Sequence, residues 1–167
     1  MHKDFLGIGN PKKIAGILHG LIDPDQIELI HVQQKLHAQG MFNLGLSHFR
    51  FGRKLNAVHW RQRISRFYYG AYNSSKSIRY LVNGVHSTDS SDHQKIGDLP
   101  DDFPSQQTYK ARLKELREDR NTCDYNHEAK ARDLFISQTE AEQMTGAFLR
   151  EAVVYLNARG LTLRSNL

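Results

Sequence analysis

Between Val58 and Val82 one apolar stripe leaves little choice of secondary structure. Ile64, Phe67, Tyr68, Ala71, Ser75, Ile78 and Val82 recur at steps of three and four, the spacing that places side chains on one face of an α-helix. The face narrows at Ala71 and Ser75, which lets a neighbouring helix come close there. Arg61, Arg63, Arg66 and Arg79 fall mostly off the stripe, and Asn83-Gly84 reads as a helix stop.

The flanking segments carry weaker versions of the same signal. Asn10-Pro11 reads as a cap and first turn, followed by Ile14, Ile17, Leu18 and Leu21 at helical spacing. Asp23-Pro24 ends that element and starts another. From Gln26 to about Asn56 the pattern is helical but interrupted, and Gly40 and Gly45 mark a break, a bulge or a close helix approach. Residues 85–105 are polar and rich in turn formers, which predicts a long exposed loop, with Ser105 or Thr108 capping the next helix. Ser137-Gln138-Thr139-Glu140 is a capping-box pattern that opens a last helix bearing Ala141, Met144, Thr145, Phe148, Ala152 and Leu156. Strand signal is poor, and short runs such as Leu134-Phe135-Ile136 read as connectors. These elements predict an all-α, up-and-down bundle of four to five helices. Residues 1–25 form an N-terminal extension of short helices and residues 26–167 the bundle. A chain of 167 residues is long enough for one domain with a real core.

Composition excludes several classes of function. No apolar run reaches membrane-spanning length, and Met1-His2-Lys3-Asp4-Phe5-Leu6 lacks the pattern of a signal peptide. The single cysteine, Cys123, rules out an internal disulfide and fits a reducing cytoplasm. One cysteine and scattered histidines make no structural metal site, and His86 and His93 form only a weak pair. There is no phosphate-binding glycine loop and no Gly-x-Ser-x-Gly turn, so neither a metal nor a cofactor is expected.

The net charge is +5, and its distribution says more than its sum. No acidic residue occurs between Glu28 and Asp89. That interval holds Arg50, Arg53, Lys54, Arg61, Arg63, Arg66, Lys76 and Arg79, besides Lys35 and five histidines. A basic half of this kind attracts polyanions, and RNA is the expected partner. The alternative is a solvated helical face balanced by an acidic partner.

The stretch from Leu116 to His127 carries the candidate chemistry. Tyr109, Leu113 and Leu116 define a buried helical face, and the next residue on that face is Arg120 where an apolar one belongs. If the helix persists, His127 lies two turns further along the same face, about 10 Å away. If it breaks near Cys123, that relation is lost. Arg120 suits charge stabilisation through bidentate hydrogen bonds to phosphate oxygens. His127 suits proton transfer at neutral pH, and Asn121 suits orientation of the phosphate or the imidazole. Arg120 has a competing use as an ion pair with Asp124 at i+4, or with Glu118 or Asp119 of a partner. His127 has a competing reading as an exposed loop histidine, and Cys123 reads as a small buried filler.

Two stretches together resemble the HEPN family. The run from Trp60 to Lys76, a tryptophan followed by Ser65-Arg66-Phe67-Tyr68-Tyr69-Gly70-Ala71-Tyr72, is similar to its second-helix signature. Arg120, then the polar Asn121, and His127 after six residues counted from Arg120, is similar to its active-site pattern. The resemblance covers roughly residues 26–160. It implies a four- or five-helix bundle that forms a homodimer and brings two Arg/His pairs to one cleft. It further implies a metal-independent endoribonuclease, acting as a toxin or defence effector, with Arg120, Asn121 and His127 catalytic. A nucleotidyltransferase-type antitoxin is the implied protein partner, with Tyr125 as its candidate modification target. Asp124-Tyr125 inside the motif resembles a second HEPN branch, which implies the alternative of a non-catalytic module that binds such a partner.

Overall fold

Asn10 and Pro11 begin the first described helix for the reasons their chemistry dictates. The Asn10 side-chain oxygen accepts from the Lys13 N–H at 3.1 Å, and Pro11 sits where a missing N–H costs nothing. The computed structural model describes residues 9–87 and 89–164, with only the backbone of Ser90. Its helices are α1 (Pro11–Leu18), α2 (Pro24–Lys54), α3 (Trp60–Asn83), α4 (Gln106–Tyr125) and α5 (Gln138–Asn157). Three 3-10 segments, Ala57–His59, Ser90–Gly97 and Ala131–Asp133, lie in the connections, and no strand occurs among the described residues.

Asp23 caps α2 through the Asp25 N–H and Pro24 opens it. The extension is also tied to the bundle. Asn10 Nδ2 donates to the Asn83 carbonyl at 2.6 Å and Lys12 Nζ to the Val82 carbonyl at 2.8 Å. These bonds satisfy carbonyls that the end of α3 leaves without helical partners.

α2 runs unbroken through Gly40, Gly45 and Gly52, and at Gly45 the reason is a close approach. A Cβ at Gly45 would lie 2.7 Å from the Gly70 carbonyl oxygen and 2.8 Å from Ser74 Oγ. Ser77 Oγ donates to the Ala38 carbonyl at 2.7 Å, and Gln34 Nε2 to the Tyr80 carbonyl at 2.8 Å. The register is antiparallel. The narrow part of α3 that admits α2 is therefore Gly70, Ser74 and Ser77. Ser75, the expected point of approach, instead donates to the Ile96 carbonyl at 2.7 Å. Gly45→Ala is expected to lower stability by about 1–3 kcal/mol despite its better helix propensity, because the methyl group meets backbone. Urea denaturation measures this.

α4 runs antiparallel to α3, pairing Arg120 with Tyr69 and Asp124 with Ser65. α5 runs antiparallel to α2, with Gly146 against Phe49 and Glu142 on Arg53. The four long helices thus alternate in direction around a core that includes Phe42, Ile64, Phe67, Ile78, Leu113 and Phe148, all fully buried. No helix among the described residues is long and apolar enough to cross a membrane.

Residues 85–105 depart from the expected exposed loop. The segment Ser90–Gly97 packs on α3 and α4, burying Asp92 and Ile96, with Leu99 and Phe103 buried beyond it. The cause is Arg79, a cation carried into the interior on α3. Asp92 accepts from both of its Nη groups at 3.0 Å, and the Tyr72 hydroxyl donates to Asp92 at 2.7 Å. Ser105 stands at the start of α4 with left-handed backbone (φ 53°) and makes no side-chain cap, and Thr108 lies inside the helix.

Candidate active site

The buried face of α4 carries Tyr109, Leu113 and Leu116 inward and then presents Arg120. Three aromatic rings surround the Arg120 guanidinium, those of Tyr68, Tyr69 and Tyr125, with centroids 5.5–5.7 Å away. Such rings stabilise a cation through their negative faces. Nη2 donates to the Tyr69 oxygen at 2.8 Å and Nη1 to Asn121 Oδ1 at 3.2 Å. Nε lies 2.8 Å from Asp124 Oδ2, so the intrahelical ion pair is present. Asp124 also accepts from Ser65 Oγ at 2.8 Å. Glu118 is taken by Arg117, and buried Asp119 accepts from the Phe135 and Ile136 N–H groups at 2.7 and 3.0 Å. Cys123 is a buried filler, its thiol pushed up to about 12 by burial.

α4 persists past Cys123 but ends at Tyr125. Arg61 explains the end. Its guanidinium donates to the carbonyls of Cys123 and Asn126, each at 2.8 Å, and of Ala129 at 2.7 Å. These bonds satisfy the helix terminus and turn the chain away. His127 follows the turn. Its side chain is 91% exposed, with Nε2 3.9 Å from Glu128. The two-turn relation to Arg120 therefore does not form.

A different histidine reaches Arg120. An open hollow of about 420 Å³ is lined by His93, Gln94, Arg117, Glu118, Arg120, Asn121 and Tyr125. The buried Arg79–Asp92 pair anchors the residue next to His93. The His93 ring stacks on Tyr72 with centroids 4.3 Å apart, and its Nδ1 lies 2.6 Å from the Tyr68 hydroxyl. Burial first, and then the Arg120 charge, hold its pKa below the usual histidine value. Burial raises the Tyr68 pKa, so that hydroxyl keeps its proton. The pair has two tautomers: with Tyr68 O–H donating to Nδ1 the proton sits on Nε2, and with Nδ1–H donating to the Tyr68 oxygen Nε2 carries the lone pair that a general base needs.

The eight basic residues expected on RNA do not form one surface. Arg79 is 4% exposed and committed to Asp92, and Arg61 is spent on the end of α4. Arg63 and Arg53 share Glu142 at 2.7 and 3.2 Å. Lys76 donates to the Ser87 carbonyl at 2.6 Å. Arg66 lies against His48 Nδ1 at 3.1 Å and over the Phe51 ring. Arg50 and Lys54 are exposed near the end of α2 and line a shared hollow. Among the described residues no three His, Cys, Asp or Glu side chains cluster as metal ligands would. No family model, curated protein or solved structure matches this chain.

Proposed function

We propose that this chain is a metal-independent endoribonuclease of HEPN type that cleaves RNA by attack of the 2′-hydroxyl, acting in the cytoplasm as a toxin or defence effector. The observation that carries the reading is the hollow in which an imidazole, two guanidinium-bearing side chains and two carboxamides meet, with the Glu118 carboxylate paired to Arg117. In this reading Arg120 and Arg117 hold the phosphodiester and balance the negative charge that grows on its oxygens. Asn121 orients it. His93, in place of His127, takes the 2′-hydroxyl proton, and the departing 5′-oxygen is protonated from water. Products carry 2′,3′-cyclic phosphate and 5′-hydroxyl ends. Tyr125 is 76% exposed at the rim of the hollow, which suits a modification target for a nucleotidyltransferase-type antitoxin.

The Arg120–Asp124 pair favours a second reading, a non-catalytic module that binds such a partner, because a carboxylate at 2.8 Å competes with phosphate for the guanidinium. Purified wild type and Arg120→Ala, incubated with labelled structured RNA and with tRNA in EDTA, separate the two. Cleavage by wild type, reduced roughly 10²–10³-fold in Arg120→Ala, supports the nuclease. RNA left intact by both overturns it in favour of the binding module.

A further inference from the structure

Two hollows meet along the N-terminal half of α2, and neither shares a lining residue with the Arg120 hollow. The first, about 420 Å³, lies where α1, α2, the end of α3 and the turn after α5 converge, and Lys12, Lys35 and Arg159 line it. The second, about 560 Å³, is walled by the apolar side chains of Ile22, Pro24 and Ile27. Glu28 and His31 line both, so the two hollows adjoin across one turn of α2.

The charges of the first hollow suit a single negative charge. Arg159 is paired with Asp102 and brings no net charge. Lys12 donates to the Val82 carbonyl at 2.8 Å and keeps its own charge. Lys35 pairs with no carboxylate among the described residues. Its Nζ reaches the turn after α5, 3.4 Å from the point where a Cβ on Gly160 would stand. Two ammonium groups against the Glu28 carboxylate leave one positive charge when the His31 ring is neutral. A carboxylate balances that charge, whereas a phosphate monoester carries about −1.5 to −2. Gln34 adds an acceptor to the wall. It is 3% exposed, and its Nε2 donates to the Tyr80 and Leu81 carbonyls at 2.8 and 3.2 Å, which leaves Oε1 for the N–H of a ligand.

We infer that these two hollows take the free carboxyl end of a peptide, its carboxylate between Lys12 and Lys35 and an apolar side chain against Ile22 and Ile27. Along α2, Ile27 and Lys35 are separated by roughly 12 Å of helix axis. About three residues of extended chain span that distance. Side chains alternate along such a chain, so the last residue and the one two before it face the helix together. The peptide's backbone N–H groups meet the acceptors Gln34 and Glu28. A bare inorganic anion leaves the apolar hollow unfilled, and a fatty acid leaves both acceptors without a donor. Carboxylate capture beside an apolar pocket is a recurrent mode of peptide recognition. The inference stands on these hollows alone and does not depend on the nuclease reading.

Fluorescence anisotropy of a labelled hexapeptide ending in Leu-Ala-Leu, titrated with the full chain, tests it. Saturable binding is expected, weakened roughly tenfold or more when the peptide ends in an amide or in Asp-Ala-Asp. Lys35→Gln weakens binding to a similar degree with helical circular dichroism unchanged. Lys114→Gln, the same change of charge at an exposed position on α4, leaves it as in wild type. Neither inorganic phosphate nor AMP displaces the peptide at concentrations where unlabelled peptide does. Absence of saturable binding overturns the inference. So does equal affinity for the free acid and the amide, and so does equal weakening by the two lysine variants. Displacement by phosphate or AMP also overturns it, and assigns the hollow to a phosphate ligand instead.

Discussion

Asp92→Ala is expected to lower the unfolding free energy by about 3–5 kcal/mol, because it leaves the Arg79 guanidinium charged and without its carboxylate in the interior. Both Nη groups of Arg79 donate to Asp92 at 3.0 Å, and the side chains are 5% and 1% exposed. Replacing both residues, Arg79→Met with Asp92→Leu, is expected to recover most of the loss, since no charge is then left alone. Chemical denaturation of the two single variants and the double closes that cycle. The pair also sets an acid limit. Burial raises the Asp92 pKa, but hydrogen bonds from Arg79 and Tyr72 and the Arg79 and Lys76 charges outweigh it, so the net shift is downward from 3.8. A carboxylate depressed in the native state contributes its stability fully above the unfolded value. That contribution fades as pH falls from there through the lower native value. Wild type should therefore lose stability in this window, and the Arg79→Met, Asp92→Leu double variant should lose less.

His93→Gln is expected to reduce RNA cleavage about 10²–10⁴-fold while leaving RNA affinity and the fold nearly unchanged. Glutamine keeps a polar side chain of similar reach against Tyr68 but cannot accept and return a proton. The pH profile gives the sharper signature. Burial and the Arg120 charge lower the His93 pKa from 6.5, so the imidazole stays neutral at pH values where an ordinary histidine is protonated. A base that works only when neutral then loses rate on an acid limb below 6.5, and His93→Gln abolishes that limb.

The helical periodicities made most of the bundle legible. The α3 stripe, the Asn10-Pro11 start, the Asp23-Pro24 boundary and the Ser137 cap all stand where local rules put them, because each depends on residues within one or two turns. Long-range pairing was not legible. Arg79 looked like a surface cation because its partner lies thirteen residues away, in a tract whose composition reads as loop. That one pair folds residues 90–97 inward, and His93 goes with them. Two features could have flagged it: an arginine one residue from the apolar stripe of the central helix, and an Asp-His dipeptide in a tract otherwise made of turn formers. Arg61 misled for a related reason. Its charge suggested a polyanion, while its geometry serves five carbonyls between Thr122 and Ala129, at and just after the end of α4, and thereby carries His127 away from Arg120.

Single-turnover cleavage of end-labelled RNA in EDTA by wild type, His93→Gln and His127→Ala, with the product ends identified, separates the two histidines. Wild type is expected to leave cyclic phosphate ends, His127→Ala to keep near wild-type rates, and His93→Gln to give little or no product. Loss of cleavage in His127→Ala with full activity in His93→Gln would contradict it and return the chemistry to the exposed turn after α4.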